Sequence, residues 1–206
     1  MSVPSARKLV IDLETVSAAR RYHFMISAIV PRPIAWVSTR GVDGTTNLAP
    51  FSFFQGVCSD PPTLMISFAT QKKSGERKDT LANIEATREF VVNLVSEDLL
   101  DPMILSSAEL ERGASEIEAA RLATFPGEQI EAPCLVASPV NLECRLLRTV
   151  PVGSCVAVFG RILLAHARSD ILGERGTIDP DRLRPVARLG GSLYALYGGA
   201  ISKKRP

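Results

Sequence analysis

The sequence predicts a mainly β protein, an antiparallel sheet closed into a barrel and decorated by peripheral helices. Three observations carry this. Strand-forming runs come first at hairpin spacing, with a turn rich in Gly, Asp and Asn between them at 40–47. Helix-like segments are inserted between strands rather than alternating with them, which is not the βαβα order of a parallel sheet. A long hairpin closes the pattern: extended runs at 134–152 and 154–169 meet at Pro151-Val152-Gly153.

Taken in order, a helix is expected from about Val16, with Tyr22, Met25, Ile26 and Ile29 on one face, until Pro31-Arg32-Pro33 stops it. "IAWVST" (34–39) is a strand, and the turn at 40–47 leads into a second strand, "NLAPFSFFQGVCSD" (47–60). Phe51, Phe53 and Phe54 cannot all face one way on a pleat of period two. That segment is therefore expected to line a flat, polar-edged ligand as well as the core. Past the corner at Asp60-Pro61-Pro62 come a strand at 63–69, a polar basic loop at 70–80 and a short helix at 80–87. Asp79 or Thr80 is the expected cap of that helix. A strand at 90–95 follows, then a mostly helical stretch at 96–123 with an interruption around Gly113.

Composition bounds the function. The 206 residues read as one domain spanning 1–206; 46% are hydrophobic, 22% are charged and the mean hydropathy is +0.13, enough for a sizeable core. A net charge of +2 is too near neutral for gripping a polyanion, so no nucleic-acid partner is expected. No uncharged run reaches membrane-spanning length, since "VAVFGRILLAHA" is broken by Arg161, and the first residues lack the apolar core of a signal peptide. Cys58, Cys134, Cys144 and Cys155 form no CxxC pair, and read as small buried hydrophobes of a reducing, cytoplasmic compartment. With His23 and His166 the only histidines, a zinc or haem site is poorly supplied and no Ser-His or Cys-His couple is in view. No pair of carboxylates stands out in an apolar setting, which leaves the chemistry to a cofactor if the protein is an enzyme.

Three constellations could hold one. In "SGERKDTLANI", Arg77, Lys78 and the Thr80 hydroxyl sit at a helix start, where free N–H groups and the positive dipole end suit a phosphate. The same pattern describes a capped surface helix after a solvated loop, and the Asp79 carboxylate could occupy the helix end itself. In "RLGGSLYALYGG", Gly190 and Gly191 permit unusual backbone angles or a close approach, Arg188 could meet an anion, and Tyr194 a ring; a glycine turn with a core tyrosine fits equally. Ser38, Thr39 and Arg40 end a strand beside a turn, where hydroxyls often satisfy the turn backbone. Trp36 is read as a core anchor.

In order along the chain, "PRPIAWVSTRGVDGTTNLAPFSFFQGVCSDPPTLMIS", "KDTLANI", "FVVNLV" and "ARLGGSLY" resemble the flavin-reductase-like family of FMN-binding split-barrel proteins, in its flavoredoxin-related branch, over residues 16 to 197. The resemblance implies a six-stranded antiparallel Greek-key barrel that forms a homodimer with FMN near the subunit interface. It implies that Val37, Ser38 and Thr39 border the flavin, and that Asn47, Ala49, Pro50, Phe51 and Ser52 wrap the ring and ribityl chain. Lys78, Asp79 and Thr80 would reach the phosphate, and Arg188 and Tyr194 would close the site. The implied function is an FMN-binding oxidoreductase reducing flavin with NADH or NADPH by hydride transfer, with a protein electron acceptor as a further partner. The alternatives are a flavoredoxin-like FMN electron carrier with no pyridine-nucleotide site, and a barrel that has lost flavin or binds haem. Two departures stand out: Gln55 replaces a frequent Asn, and "ARLGGSLY" replaces the His-x-Gly-Arg-like pattern of dedicated NADH:flavin reductases.

Overall fold

The hairpin spacing becomes one antiparallel sheet of seven strands: β1 (Ala35–Arg40), β2 (Thr46–Phe51), β3 (Phe54–Ser59), β4 (Pro62–Ala69), β5 (Glu89–Asn93), β6 (Val140–Val152) and β7 (Cys155–Ala167). The computed structural model describes residues 7–72, 74–108, 110 and 114–204. Spatial order is β2-β1-β5-β6-β7-β4-β3, and the two outermost members, β2 and β3, are consecutive in the chain. The run expected to be one strand over 47–60 instead breaks at Ser52-Phe53, where the chain stops pairing with β1 and starts pairing with β4. At that bend Ser67 N–H donates to the Phe53 carbonyl at 2.8 Å. One bent strand thus serves both edges of the sheet. Counted as one, it gives the split barrel its expected six strands.

β1 is apolar on both faces because both are covered. Ala35 and Val37 point into the barrel with Ile66, Phe68, Phe90, Val92 and Val158, and helix α2 (Asp79–Thr87) adds Leu81 and Ile84 to this core. Ile34 and Trp36 point outward into a second layer with Leu48, Leu99, Met103, Ile117 and Leu135. Trp36 is fully buried, as expected, and its Nε1 donates to Ser106 Oγ at 2.8 Å. Gly160 on β7 lies under the Phe90 ring, where a Cβ would come within 2.4 Å of Phe90 Cζ; no larger residue fits without moving that ring.

The long hairpin turns at Gly153, with φ +55. Its first arm starts at Val140 rather than 134, because Cys134–Leu135 pairs instead with Thr124–Phe125 and Leu135 N–H is taken by Asn93 Oδ1 at 3.1 Å. The stretch 96–123 is also less helical than expected. After a 3₁₀ turn it holds α3 (Leu100–Leu105) and α4 (Glu116–Ala119). The Ser106 and Ser107 hydroxyls donate back to the Met103 and Ile104 carbonyls at 2.8 and 2.6 Å, which competes with a further helical turn. The expected interruption at Gly113 lies outside the described residues.

The first helix, α1 (Ala18–Ala28), begins at Ser17, whose hydroxyl accepts from Arg20 N–H at 3.3 Å. Its apolar face is not covered: Ile26 is buried, while Tyr22, Met25 and Ile29 are 56%, 38% and 58% exposed. Behind it, Arg32–Pro33 pairs with Ala187–Arg188, which pairs with Tyr194–Ala195, so "PRP" and "RLGGSLY" become neighbours. Among the described residues no helix is long and apolar enough to cross a membrane.

Candidate functional site

Where β2 ends and the strand bends, Pro50, Phe51, Ser52 and Phe53 face a chamber of about 710 Å³. Tyr22, Phe51, Phe53 and Tyr194 supply aromatic wall, Arg32 and Arg188 supply positive charge, and no Asp or Glu lines it among the described residues. A much smaller hollow of about 50 Å³ lies at the start of α2, against Asn47, Lys72, Lys78, Thr80 and Glu116. Phe51 and Ser107 line both, so the large apolar chamber adjoins a small polar annex.

The annex has the chemistry of a helix end left open. The cap of α2 is Lys78, extended and without a side-chain hydrogen bond, rather than Asp79 or Thr80 as expected. Asp79 is inside the helix and held by Lys72, Nζ to Oδ2 2.6 Å, while Thr80 Oγ1 donates to Asn47 Oδ1 at 2.5 Å. The first-turn N–H groups thus lack a side-chain cap, in reach of two lysines. Asn47 Nδ2 and Leu48 N–H both donate to Glu116 Oε2, at 2.9 and 3.0 Å. Burial pushes the Glu116 carboxyl above its ordinary range; these donors and the residue's own N–H only partly offset it, and Asp79 adds to the rise.

The chamber is organised by Arg32, which is 6% exposed. Its Nη1 donates to the Ile26 and Ile29 carbonyls at 2.6 and 2.7 Å, Nη2 to the Leu189 carbonyl at 2.8 Å, and Nε to Ser52 Oγ at 3.3 Å. One side chain therefore ties α1, the 189 segment and the strand bend together. Arg188 lies 4.3 Å from the Tyr194 ring centroid and donates to the Gly191 carbonyl. The close approach permitted by Gly190 is to α1, since a Cβ there would sit 3.3 Å from Ser27 Cβ, and Gly191 takes φ +59.

The residues singled out in the sequence fall in three places. Asn47, Ala49, Lys78, Asp79 and Thr80 line the annex, Phe51 lines both hollows, and Pro50, Ser52, Arg188 and Tyr194 line the chamber. Val37, Ser38 and Thr39 line neither and are fully buried. Ser38 Oγ donates to the Pro133 carbonyl at 2.5 Å and accepts from Asn93 at 3.0 Å. Thr39 Oγ1 meets Asn47 Oδ1 at 3.5 Å and accepts from Asn83 at 3.0 Å, so it supports Asn47 from behind. Gln55 is exposed. Sequence reasoning missed Lys72, Glu116, His23 and Arg32. Arg32 was hidden between two prolines that read only as a helix stop.

Away from the chamber, the structure assembles a group that the sequence did not suggest. Cys134, Glu143 and His166 place their ligand atoms within 4.8 Å of one another. Glu143 is fully buried, a lone carboxylate that no pattern in the sequence marked. Its Oε1 takes Glu128 N–H at 2.8 Å and His166 Nε2 at 2.7 Å, and Oε2 takes Gln129 N–H at 2.7 Å. Burial would raise its pKa, but the His166 and backbone N–H bonds together hold it below the ordinary range. Burial, with Glu143 nearby, pushes the Cys134 thiol up to about 12, so it is inert. Of the other cysteines Cys144 is buried as expected, but Cys58 is exposed and Cys155 is only half-buried, on the chamber wall.

A family model for the flavin reductase like domain matches residues 26–187. An uncharacterized protein of Aquifex aeolicus is 39% identical over 89% of this chain and 93% of its own. Among solved structures, nitrilotriacetate monooxygenase component B from Bacillus cereus superposes with a TM-score of 0.91 at 32% identity, covering 97% of this chain and 100% of its own. The 2-nitrobenzoate 2-nitroreductase of Pseudomonas fluorescens gives 0.87 at 28%, covering 96% of each.

Proposed function

Since the chain belongs to the flavin reductase like domain family, we propose that it is an FMN-binding oxidoreductase that reduces flavin with NADH or NADPH by hydride transfer. The observation that carries the reading is the pairing of the two hollows: an aromatic chamber sized for a fused ring, joined to a polar annex at an open helix start. At about 710 Å³ the chamber lies within the ~300–1,000 Å³ typical of ligand sites. The residues fit the group in charge as well. Lys72, Lys78 and the first turn of α2 suit a phosphate, while Ser52 and the backbone of Ala49 to Phe51 suit a ring with polar edges.

Bound FMN would supply the electron chemistry, taking a hydride at N5 and passing electrons on. The chain's own residues bind, orient and exclude water. Pro50 and Phe51 present a rigid edge, Phe51 and Phe53 dry one wall, and the annex anchors the charged end so that the ring has one orientation. No acid or base of the protein is needed for hydride transfer, which suits a chamber lined by no carboxylate among the described residues.

The proposal includes a homodimer. On the apolar face of α1, Tyr22, Met25 and Ile29 are exposed beside the chamber, and Leu193 and Leu196 are 63% and 59% exposed next to it. A second copy of the chain laid over this rim would bury that surface and close the site. Light scattering should report a dimer; a monomer that holds FMN tightly would remove the claim.

The reading is tested by the visible spectrum of the purified protein with FMN, before and after anaerobic NADH and then NADPH. Bound flavin bands that bleach with either nucleotide support the reductase. Bands that bleach only with dithionite point instead to an electron carrier fed by another protein. Absence of any bound flavin refutes both.

A further inference from the structure

Among the described residues, Arg32 is a buried cation without a counter-ion. Every hydrogen-bond partner of its guanidinium is neutral: three carbonyls and the Ser52 hydroxyl. The titratable groups that line the chamber with it, among the described residues, are Tyr22 and His23 from α1, Arg188 and Tyr194 from the 187–195 segment, and Cys155 from β7; of these, Tyr22 and Arg188 act on its charge. None of these is a carboxylate, and Arg188 adds like charge. Burial pushes the Arg32 pKa down, Tyr22 opposes this, and Arg188 pushes it down further. A guanidinium still keeps its proton in such surroundings. A desolvated charge held only by dipoles is costly unless something else in the site completes it. That energetic demand is directed at whatever fills the chamber.

We propose that Arg32 makes the chamber favour the reduced, anionic form of the flavin over the oxidised form, and so sets the potential at which this protein works. The inference rests on the FMN reading above. On reduction the ring gains a hydride, two electrons and one proton, at N5, and the nicotinamide donor leaves with its ring positively charged. The electron pair displaced through the flavin comes to rest on the N1–C2=O edge. With no proton added there, the reduced ring carries one negative charge that the oxidised ring lacks. Arg32 offers a fixed positive charge in a low-dielectric wall, where such a difference is felt strongly. Its Nε–H also occupies a lone pair of Ser52 Oγ, which leaves the serine proton free to donate into the chamber. Arg188 is more exposed and stacked on Tyr194, so solvent and salt screen it. Arg32 is a positioning residue here, acting through its charge and through Ser52.

The experiment compares FMN-loaded wild type, Arg32→Gln and Arg32→Lys. The midpoint potential is measured by slow enzymatic reduction against a reference dye, and the affinity for oxidised FMN by fluorescence. Arg32→Gln should bind reduced FMN about tenfold less tightly relative to oxidised FMN, a fall of ~30 mV for a two-electron couple. Arg32→Lys, which keeps the charge but not the fork of hydrogen bonds, should hold most of the wild-type potential. An unchanged potential in Arg32→Gln overturns the proposal, and so does an equal fall in both variants, which would mark packing rather than charge.

Sulfite provides a readout on the wild type alone, should Arg32→Gln fail to fold. Its sulfur lone pair forms an S–N5 bond and drives an electron pair onto the same N1–C2=O edge, so the adduct carries the same negative charge with no nicotinamide or other reductant added. Bound FMN should form this adduct about tenfold more tightly than free FMN. Equal or weaker adduct formation overturns the proposal. A wild-type protein showing no bound flavin band defeats the functional reading, and this inference with it. A bound flavin with an unshifted potential defeats this inference alone.

Discussion

Glu143 and Glu116 are both buried carboxylates, 0% and 8% exposed, yet their pKa values move in opposite directions. The difference lies in how donors are distributed. Glu143 spreads three donors over both oxygens, and one of them is an imidazole that can carry charge. Glu116 takes the Asn47 and Leu48 donors on the single oxygen Oε2, none of its donors carries charge, and it has Asp79 as a like-charged neighbour. Burial is the largest single influence on both and pushes both up; the donors around Glu143 together outweigh it, and those around Glu116 do not. The well-satisfied carboxylate lines neither the chamber nor the annex and fastens the 126–131 loop to the hairpin. The under-satisfied one lines the annex, where a phosphate is proposed to bind. The fold is thus held firmly on one side and left electrostatically unfinished on the side proposed to take a ligand.

The largest effect should come from the firm side. Glu143→Gln puts an amide NH₂ where an N–H or the imidazole already donates, and should cost about 3 kcal/mol or more in urea denaturation at pH 7. The pH dependence has a definite sign. A folded-state pKa below the unfolded one means stability that is present above the ordinary value of ~4.3 and is lost as pH falls through the folded value. Wild type should therefore converge on the variant under acid, while the variant changes less over the same window. A neutral Glu143→Gln would break the contrast at once.

A smaller effect, and one on ligand rather than fold, is expected from the unfinished side. The double variant Ser52→Ala with Thr80→Ala removes one hydroxyl at the strand bend and one beneath the annex. FMN affinity should fall by about tenfold, with a denaturation midpoint closer to wild type than that of Glu143→Gln. Unchanged affinity would take both residues out of the proposed site. A midpoint as low as that of Glu143→Gln would show that this side is as firmly structural as the other.

How much of this could be read in the sequence follows from the range of the interactions. The helix at 79–87, the hairpin at Gly153 and the buried Trp36 depend on local pattern, and were legible. The break at Ser52-Phe53 was not, because a bent strand and a straight one share the same residues until two different partners claim its halves. Asn47 and Thr80 were singled out separately, but their hydrogen bond across 33 positions exists only once β2 and α2 pack. Arg32 is the clearest loss. Its role depends on carbonyls of Ile26, Ile29 and Leu189, and a backbone carbonyl leaves no signature in sequence. The Glu143–His166 pair was hidden in the same way, by residues 23 apart on facing strands with no spacing rule to join them.

The smallest effect, and the sharpest on the comparison, belongs to Glu116→Gln. The glutamine carbonyl can accept from Leu48 N–H and Asn47 Nδ2 as Oε2 does now, and the substitution removes only the charge. Because burial raises the folded-state pKa of Glu116, its ionised form costs stability above that pKa, and the cost fades as pH falls through it. The variant should therefore equal or exceed wild type by up to about 1 kcal/mol at pH 7, with the gap closing on acidification. Removing a negative charge from the annex should also strengthen FMN binding, by about twofold to fivefold at low salt. Gains in both quantities would mean that the wild type keeps this carboxylate at a cost to both. Losses in both would mean that the charge itself organises the annex, by holding Asn47 and Leu48 in place more strongly than a neutral acceptor can. The contrast with Glu143 would then be one of degree, with charge stabilising both ends of the barrel.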